Sequence, residues 1–260
     1  MEDNVSFWAE NIANKVLTRE KFHFSDTAIP EIKNPTVKSS ASLSGVLHIG
    51  RLSDIIRGEA VYRAIKENND KINFIYVTED MDPFRKVPEG VPKEFEQYLG
   101  MPVSDVPDPE GCHESYGVHF KEKFLETFSD FLVYDPKVYS MREEYKQGNF
   151  TPFILEMVEK TEQVKEILQK FQDSTVAENW TPWKPICDNC GKLQTTVITK
   201  IDGTKIHYKC EDYVFEKTKA IGCKHEGVSD LKKANGKLVW KSEWAAQWKR
   251  WNVVSEGAGK

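Results

Sequence analysis

The sequence lacks any apolar run approaching the roughly 18 residues of a membrane-spanning helix. It also lacks a leader pattern, because Met1 to Glu10 is acidic and mixed. There is no basic surplus: 36 Lys and Arg stand against 41 Asp and Glu, a net charge of −5. Total charge therefore gives no argument for a nucleic-acid partner, which would need a local basic surface instead. Internal repeats and low-complexity tracts are missing, which excludes solenoids and extended linkers. Cysteine is sparse, with five in the chain and only Cys112 outside positions 187–223. What is present is ordinary for a soluble globular protein, with 39% hydrophobic and 30% charged residues. The 260 residues suffice for one large domain, or for one carrying a smaller insertion. The expected compartment is the cytoplasm.

The main feature is the stretch Ser44-Gly45-Val46-Leu47-His48-Ile49-Gly50-Arg51. Asn34–Ser42 before it reads as a short strand. After it, Leu52, Ile55, Ile56, Ala60 and Ala64 fall on one helical face. Lys71–Thr78 then reads as a continuous apolar strand of a buried parallel sheet. Strand, glycine loop, helix, strand is a βαβ unit, and the expected fold class is α/β with a Rossmann-like parallel sheet. Such a loop suits a nucleotide phosphate, because glycine admits close backbone approach and a helix N-terminus offers free N–H groups. The bland alternative is a strand-to-helix turn that merely needs glycine. Glu79, Asp80 and Asp82 fall just beyond the second strand, where open α/β sheets bind ligands.

Six prolines in positions 83–111 predict an irregular excursion. Helices are expected over Tyr116–Leu132 and Phe153–Phe171. Residues 184–239 read as a small β insertion, with hairpins expected at Asp202-Gly203 and Asn235-Gly236. This divides the chain into a first catalytic part at 1–183, the insertion at 184–239 and a return at 240–260. Within the insertion, Cys187-x-x-Cys190 and Cys210 predict a zinc site closed by Cys223 or His225. Cys112 is expected to be a small buried residue, His113 a turn residue and Ser115 a helix cap. Trp240, Trp244, Trp248 and Trp251 lie at helical spacing and are expected to pack mainly in the core.

Taken together, these segments resemble the class I lysyl-tRNA synthetases of archaeal type. SGVLHIGR is similar to the HIGH signature. EDMDPFRKVP at 79–88, LGMPVSDVPDP at 99–109, GCHESY at 111–116, LVWKSEW at 238–244 and the terminal EGAGK narrow the match. The resemblance implies a HIGH-type nucleotidyl transferase that uses ATP with Mg²⁺ and carries structural Zn²⁺. His48 and Gly50 would be catalytic, contacting ATP phosphates with Ser44, Gly45 and Arg51. Ser40, Ser42, Asp80, Asp82, Tyr116 and Trp240 would lie on the substrate side, with Asp80 or Asp82 holding the lysine ammonium. Arg51 stands at the last HIGH position, Ser42 where the family has Thr, and Ser40 where it has Gly.

The implied reaction is activation of lysine to lysyl-adenylate, followed by transfer to tRNA(Lys). The resemblance also places a KMSKS-like signature and an anticodon-binding domain beyond position 260. The sequence therefore reads as the N-terminal part of a longer enzyme, inactive alone. Two alternatives remain at this point. One is a catalytically incomplete paralogue serving as a zinc-bearing RNA- or partner-binding module. The other is a different class I synthetase, such as glutamyl.

Overall fold

The structure is a computed structural model that describes residues 7–22, 25–43, 45 and 48–257. Ser44, which the sequence assigns to ATP, lies outside the described residues, as do Val46, Leu47 and 258–260. The chain opens with helix α1 (Trp8–Thr18), strand β1 (Thr36–Ala41), helix α2 (Ile49–Lys66) and strand β2 (Asn73–Thr78). Helices α3 (Tyr116–Leu125) and α4 (Phe128–Phe131), strand β3 (Lys137–Ser140) and helices α5 (Met141–Lys146), α6 (Thr151–Glu159) and α7 (Thr161–Lys170) follow. Strands β4 (Trp183–Pro185), β5 (Thr196–Asp202), β6 (Lys205–Cys210), β7 (Tyr213–Val214), β8 (Lys219–Ala220), β9 (Glu226–Asp230) and β10 (Gly236–Leu238) come next. Helix α8 (Trp240–Arg250) and strand β11 (Val253–Gly257) return to the main sheet.

That sheet is parallel throughout, in the order β11-β1-β2-β3. Alternation along β2 explains why its sequence is apolar almost end to end. Phe74 and Tyr76 join the core beside α1 and α2, whereas Ile75 and Val77 join the core around Tyr145, Phe150 and Trp183. Both faces are covered, so neither is free to be polar. Helix α2 is buried more widely than one stripe predicts: Val61, Tyr62 and Ile65 are buried, while Ile56 and Ala60 are only partly so. The helix lies between the sheet and α1, and so has two covered sides.

Strand β4 pairs antiparallel with β10, Trp183 opposite Leu238. The Asp202-Gly203 hairpin joins β5 to β6 as expected, and β9 adds to the same sheet. Asn235-Gly236 is not a hairpin turn. Gly236 opens β10, where a Cβ would collide with the Lys184 carbonyl and the Trp183 indole. The glycine there serves close strand approach rather than turn geometry.

Three other expectations change. The helix foreseen over 153–171 is two helices, broken at Lys160 (φ −96°, ψ 25°). Helix α6 packs Ile154 and Val158 into the core, while α7 turns outward and leaves Ile167 and Phe171 exposed. The helix foreseen over 116–132 divides at Glu126-Thr127, where the Thr127 hydroxyl donates to the Phe124 carbonyl. The tryptophan stripe is mostly not core: Trp251 is 7% exposed but Trp240 is 61% exposed. The inner side of α8 carries Ser242, Glu243, Ala246 and Gln247 instead, and Glu243 and Gln247 find buried partners in Tyr145 and Glu79.

Candidate active site

The carboxyl ends of β1 and β2 open into a cleft of about 450 Å³. Ser40, Ala41 and Ser42 line it from β1 and the residue beyond, and Arg51 and Asp54 from the first turns of α2. Glu79, Asp82 and Arg85 line it from the segment after β2, and Trp240, Glu243 and Trp244 from α8. Ser40, Ser42, Arg51, Asp82 and Trp240 of the predicted site residues thus meet in one cleft. Asp54 and Glu243 were not foreseen there. Nothing in the helical spacing distinguishes them from solvated carboxylates.

His48 is the N-cap of α2, and its Nδ1 accepts a hydrogen bond from the Gly50 amide at 3.1 Å. Nδ1 is therefore the acceptor of the neutral ring, which leaves the proton on Nε2 and makes that nitrogen a donor. The ring is exposed at the positive end of the α2 dipole, where the Arg51 and Leu52 amides donate to the His48 carbonyl. Gly45 has φ +151°, a backbone region that L side chains rarely adopt.

The four cleft carboxylates differ in what they already hold. Asp54 pairs with Arg57 at 2.7 Å and Arg51 at 3.7 Å. Glu79 accepts from Gln247 Nε2 at 3.1 Å on both oxygens and faces the buried Lys38 ammonium at 4.0 Å. Burial pushes the Glu79 carboxyl up, and Lys38 and Lys237 oppose that shift. Glu243 accepts from the Tyr145 hydroxyl at 2.7 Å and pairs closely with Lys237. Asp82 meets a single partner among the described residues, Lys237 at 3.4 Å, and its side chain is partly exposed.

Asp80 is not brought to the cleft wall. Its carboxylate is buried and accepts from Ser140 Oγ at 2.6 Å, the Arg142 amide at 2.8 Å and Thr78 Oγ1 at 3.1 Å. It joins β2 to the start of α5. Nor does Tyr116 reach the cleft wall; it is buried with Phe84, Leu99 and Phe120, facing Gly45.

The sulfurs of Cys187, Cys190, Cys210 and Cys223 all lie within 4.8 Å of one another. Cys187 to Cys223 is 3.6 Å and Cys190 to Cys210 is 3.7 Å. Thiolates about 2.3 Å from one tetrahedral zinc would be about 3.8 Å apart, so the donor set fits that ion. Cys223 completes the group; His225 is not in it.

A second group was missed in the sequence: Asp108, Cys112, His113 and His119 also place their ligand atoms within 4.8 Å. Cys112 is exposed, not buried, and its sulfur is 3.0 Å from His113 Nδ1 and 3.4 Å from His119 Nδ1. The other ring nitrogens face carboxylates, Glu122 at 3.2 Å and Glu110 at 3.6 Å, as metal-bound imidazoles commonly do. Burial raises the Asp108 carboxyl, but the Glu110 and His113 amides outweigh that and hold it below the usual carboxylate range. The available signal was Asp-x₃-Cys-His-x₅-His, with His119 one helical turn beyond the Ser115 cap.

The fold is an α/β domain with a cleft where the parallel strands β1 and β2 end. The profile of the tRNA synthetases class I (K) matches residues 6–260. A lysine–tRNA ligase of Methanocaldococcus jannaschii is 36% identical over 255 residues, 97% of this chain and 44% of that protein. Those of Pyrococcus horikoshii and Methanosphaera stadtmanae are 34% and 32% identical, each over 97% of this chain and 45% and 44% of their own lengths. The chain belongs to the class I (K) tRNA synthetases. It spans about 44% of the length of such relatives. Among the described residues, no helix is long and apolar enough to cross a membrane.

Proposed function

We propose that the chain carries the lysine- and ATP-binding part of a cytoplasmic lysine–tRNA ligase. The observation that carries this reading is the cleft at the β1 and β2 ends, with cations at one side and a partly unpaired carboxylate within it. The α2 N-terminus, the His48 Nε2 donor and Arg51 suit the phosphates of ATP, which enters as its Mg²⁺ complex. Asp82 suits the side-chain ammonium of lysine. Trp240 and Trp244 suit its aliphatic stem, which apolar ring faces cover without cost to the charged end.

In this reading the lysine carboxylate attacks the ATP α-phosphorus, and the bond to pyrophosphate breaks. The 2′-hydroxyl of the terminal ribose of tRNA(Lys) then attacks the lysyl carbonyl, the anhydride bond to the α-phosphate breaks and AMP leaves. The protein's own contribution is to hold the two reactants in line and to stabilise charge on the phosphate. Segment 184–239 is read as an insertion held by zinc, with Cys187, Cys190, Cys210 and Cys223 as ligands. Asp108, Cys112, His113 and His119 are read as a second metal-holding group. A bound zinc ion supplies cross-linking between these segments rather than reaction chemistry.

Calorimetric titration tests the reading. Lysine and ATP are expected to bind, with ATP lost or weakened in His48→Ala and glutamate not bound. Binding of glutamate in place of lysine would move the chain to another specificity. Undiminished ATP binding in His48→Ala would remove the loop assignment.

A further inference from the structure

The carboxylate oxygens that line the cleft are almost all taken. Asp54 meets Arg57 through one oxygen and Arg51 through the other. Both Glu79 oxygens accept from Gln247. Glu243 accepts from the Tyr145 hydroxyl on Oε1 and pairs with Lys237 through Oε2. Asp82 meets Lys237 through Oδ1 at 3.4 Å, and its Oδ2 has no partner among the described residues. An incoming cation thus finds one unclaimed carboxylate oxygen.

Lys237 acts from behind the wall. It sits on β10 opposite Lys184 of β4, and the neighbouring Leu238 amide donates to the Tyr145 hydroxyl. Its side chain is buried and does not line the cleft. Glu243 is equally buried, so the Lys237 ammonium is held there as its counter-ion. Asp82 shares that ammonium at a longer distance and from a partly exposed position.

An ammonium and a guanidinium ask different things of a carboxylate. The ammonium is a compact point charge that one oxygen can serve. The guanidinium is a planar fork that binds best to both oxygens at once. With Oδ1 facing Lys237, Asp82 can serve the first and not the second. We propose that Lys237 is a specificity-determining residue: by occupying one Asp82 oxygen it admits a primary ammonium and rejects a guanidinium side chain. The proposal deepens the reading of Asp82 as the partner of the lysine ammonium, and rests on it.

The test is the ratio of the arginine Kd to the lysine Kd, measured by calorimetry on the 260-residue chain, Lys237→Met and Lys237→Met/Glu243→Gln. Methionine keeps an apolar stem and removes the charge. The double variant also removes the carboxylate that Lys237 neutralises, so no unpaired charge is left buried beside it. The parent is expected to bind lysine at least about tenfold tighter than arginine, and the ratio is expected to fall about tenfold in both variants as both Asp82 oxygens come free. Loss of the Lys237 charge favours either cation, so the ratio reads the geometry of the carboxylate rather than the net charge. A purely structural Lys237 would lower the melting temperature and leave the ratio fixed. An unchanged or higher ratio in the double variant overturns the proposal, as does a parent that binds arginine as tightly as lysine. Asp82→Asn separates the two levels. If that variant binds lysine like the parent, the reading of Asp82 fails and the proposal with it. If it weakens lysine while the ratio stays fixed in the Lys237 variants, the proposal alone fails.

Discussion

The Tyr145 hydroxyl donates to Glu243 Oε1 at 2.7 Å and accepts from the Leu238 amide at 2.9 Å. One buried phenol thus joins α5 to β10 and to the α8 carboxylate that lines the cleft. Tyr145→Phe leaves the Leu238 N–H without its acceptor and Glu243 with one donor fewer. Each loss is worth about 1 kcal/mol, more where the remaining group stays buried. The expected destabilisation is about 2 kcal/mol, read as a lower denaturation midpoint.

Asp80 and Asp82 are two positions apart and are expected to behave oppositely. Asp82→Asn removes the negative charge that faces the cleft and should weaken lysine binding about tenfold or more, with a smaller loss of stability. Asp80→Asn should leave lysine binding near the parent value. Its cost falls on the fold, about 1–2 kcal/mol, because an amide cannot accept from three donors as the carboxylate does. Paired lysine titrations and melts of the two variants check this separation.

The ionisation of Asp80 gives a signed pH dependence. Burial raises its folded pKa above 3.8, against the pull of its hydrogen bonds from Ser140, Arg142 and Thr78. A raised acid contributes stability that is fully present below the unfolded value and lost as pH rises through the folded one. Glu79, also raised by burial, acts in the same direction. Stability from this pair should therefore decline as pH rises above about 4. Asp80→Asn should flatten part of that decline in melting temperature measured across pH.

The sequence made the β1-α2-β2 unit readable because its signals are local. A glycine loop lies between a short strand and a helix with an apolar face, and β2 is apolar on both of its alternating faces. Asp202-Gly203 was equally local. The break at Lys160 was not readable, since the apolar spacing runs on past it and only the packing of α6 against the core ends the first helix. The tryptophans misled for a related reason. Helical spacing shows that Trp240, Trp244 and Trp248 share a side, but not that the core takes the side bearing Glu243 and Gln247. Choosing Asp82 over Asp80 required knowing that Ser140, sixty residues later, reaches Asp80.

Metal analysis separates the two ligand groups. Elemental analysis of the purified chain is expected to give about two zinc ions per molecule. Cys210→Ser should lose the ion of the insertion and His119→Ala the other, each leaving its counterpart bound. Chelation should lower the melting temperature chiefly through the group at Cys187, Cys190, Cys210 and Cys223, whose ligands span 37 positions. A metal content unaffected by either substitution would remove the corresponding site.

The most direct measurement is the position of a non-hydrolysable lysyl-adenylate analogue in crystals of this chain. The lysyl ammonium is expected within hydrogen-bond distance of Asp82, its stem against Trp240 and Trp244, and the phosphate at the α2 N-terminus beside His48. An analogue bound outside this cleft, or seated with its ammonium away from Asp82 and its phosphate away from α2, would contradict the assignment.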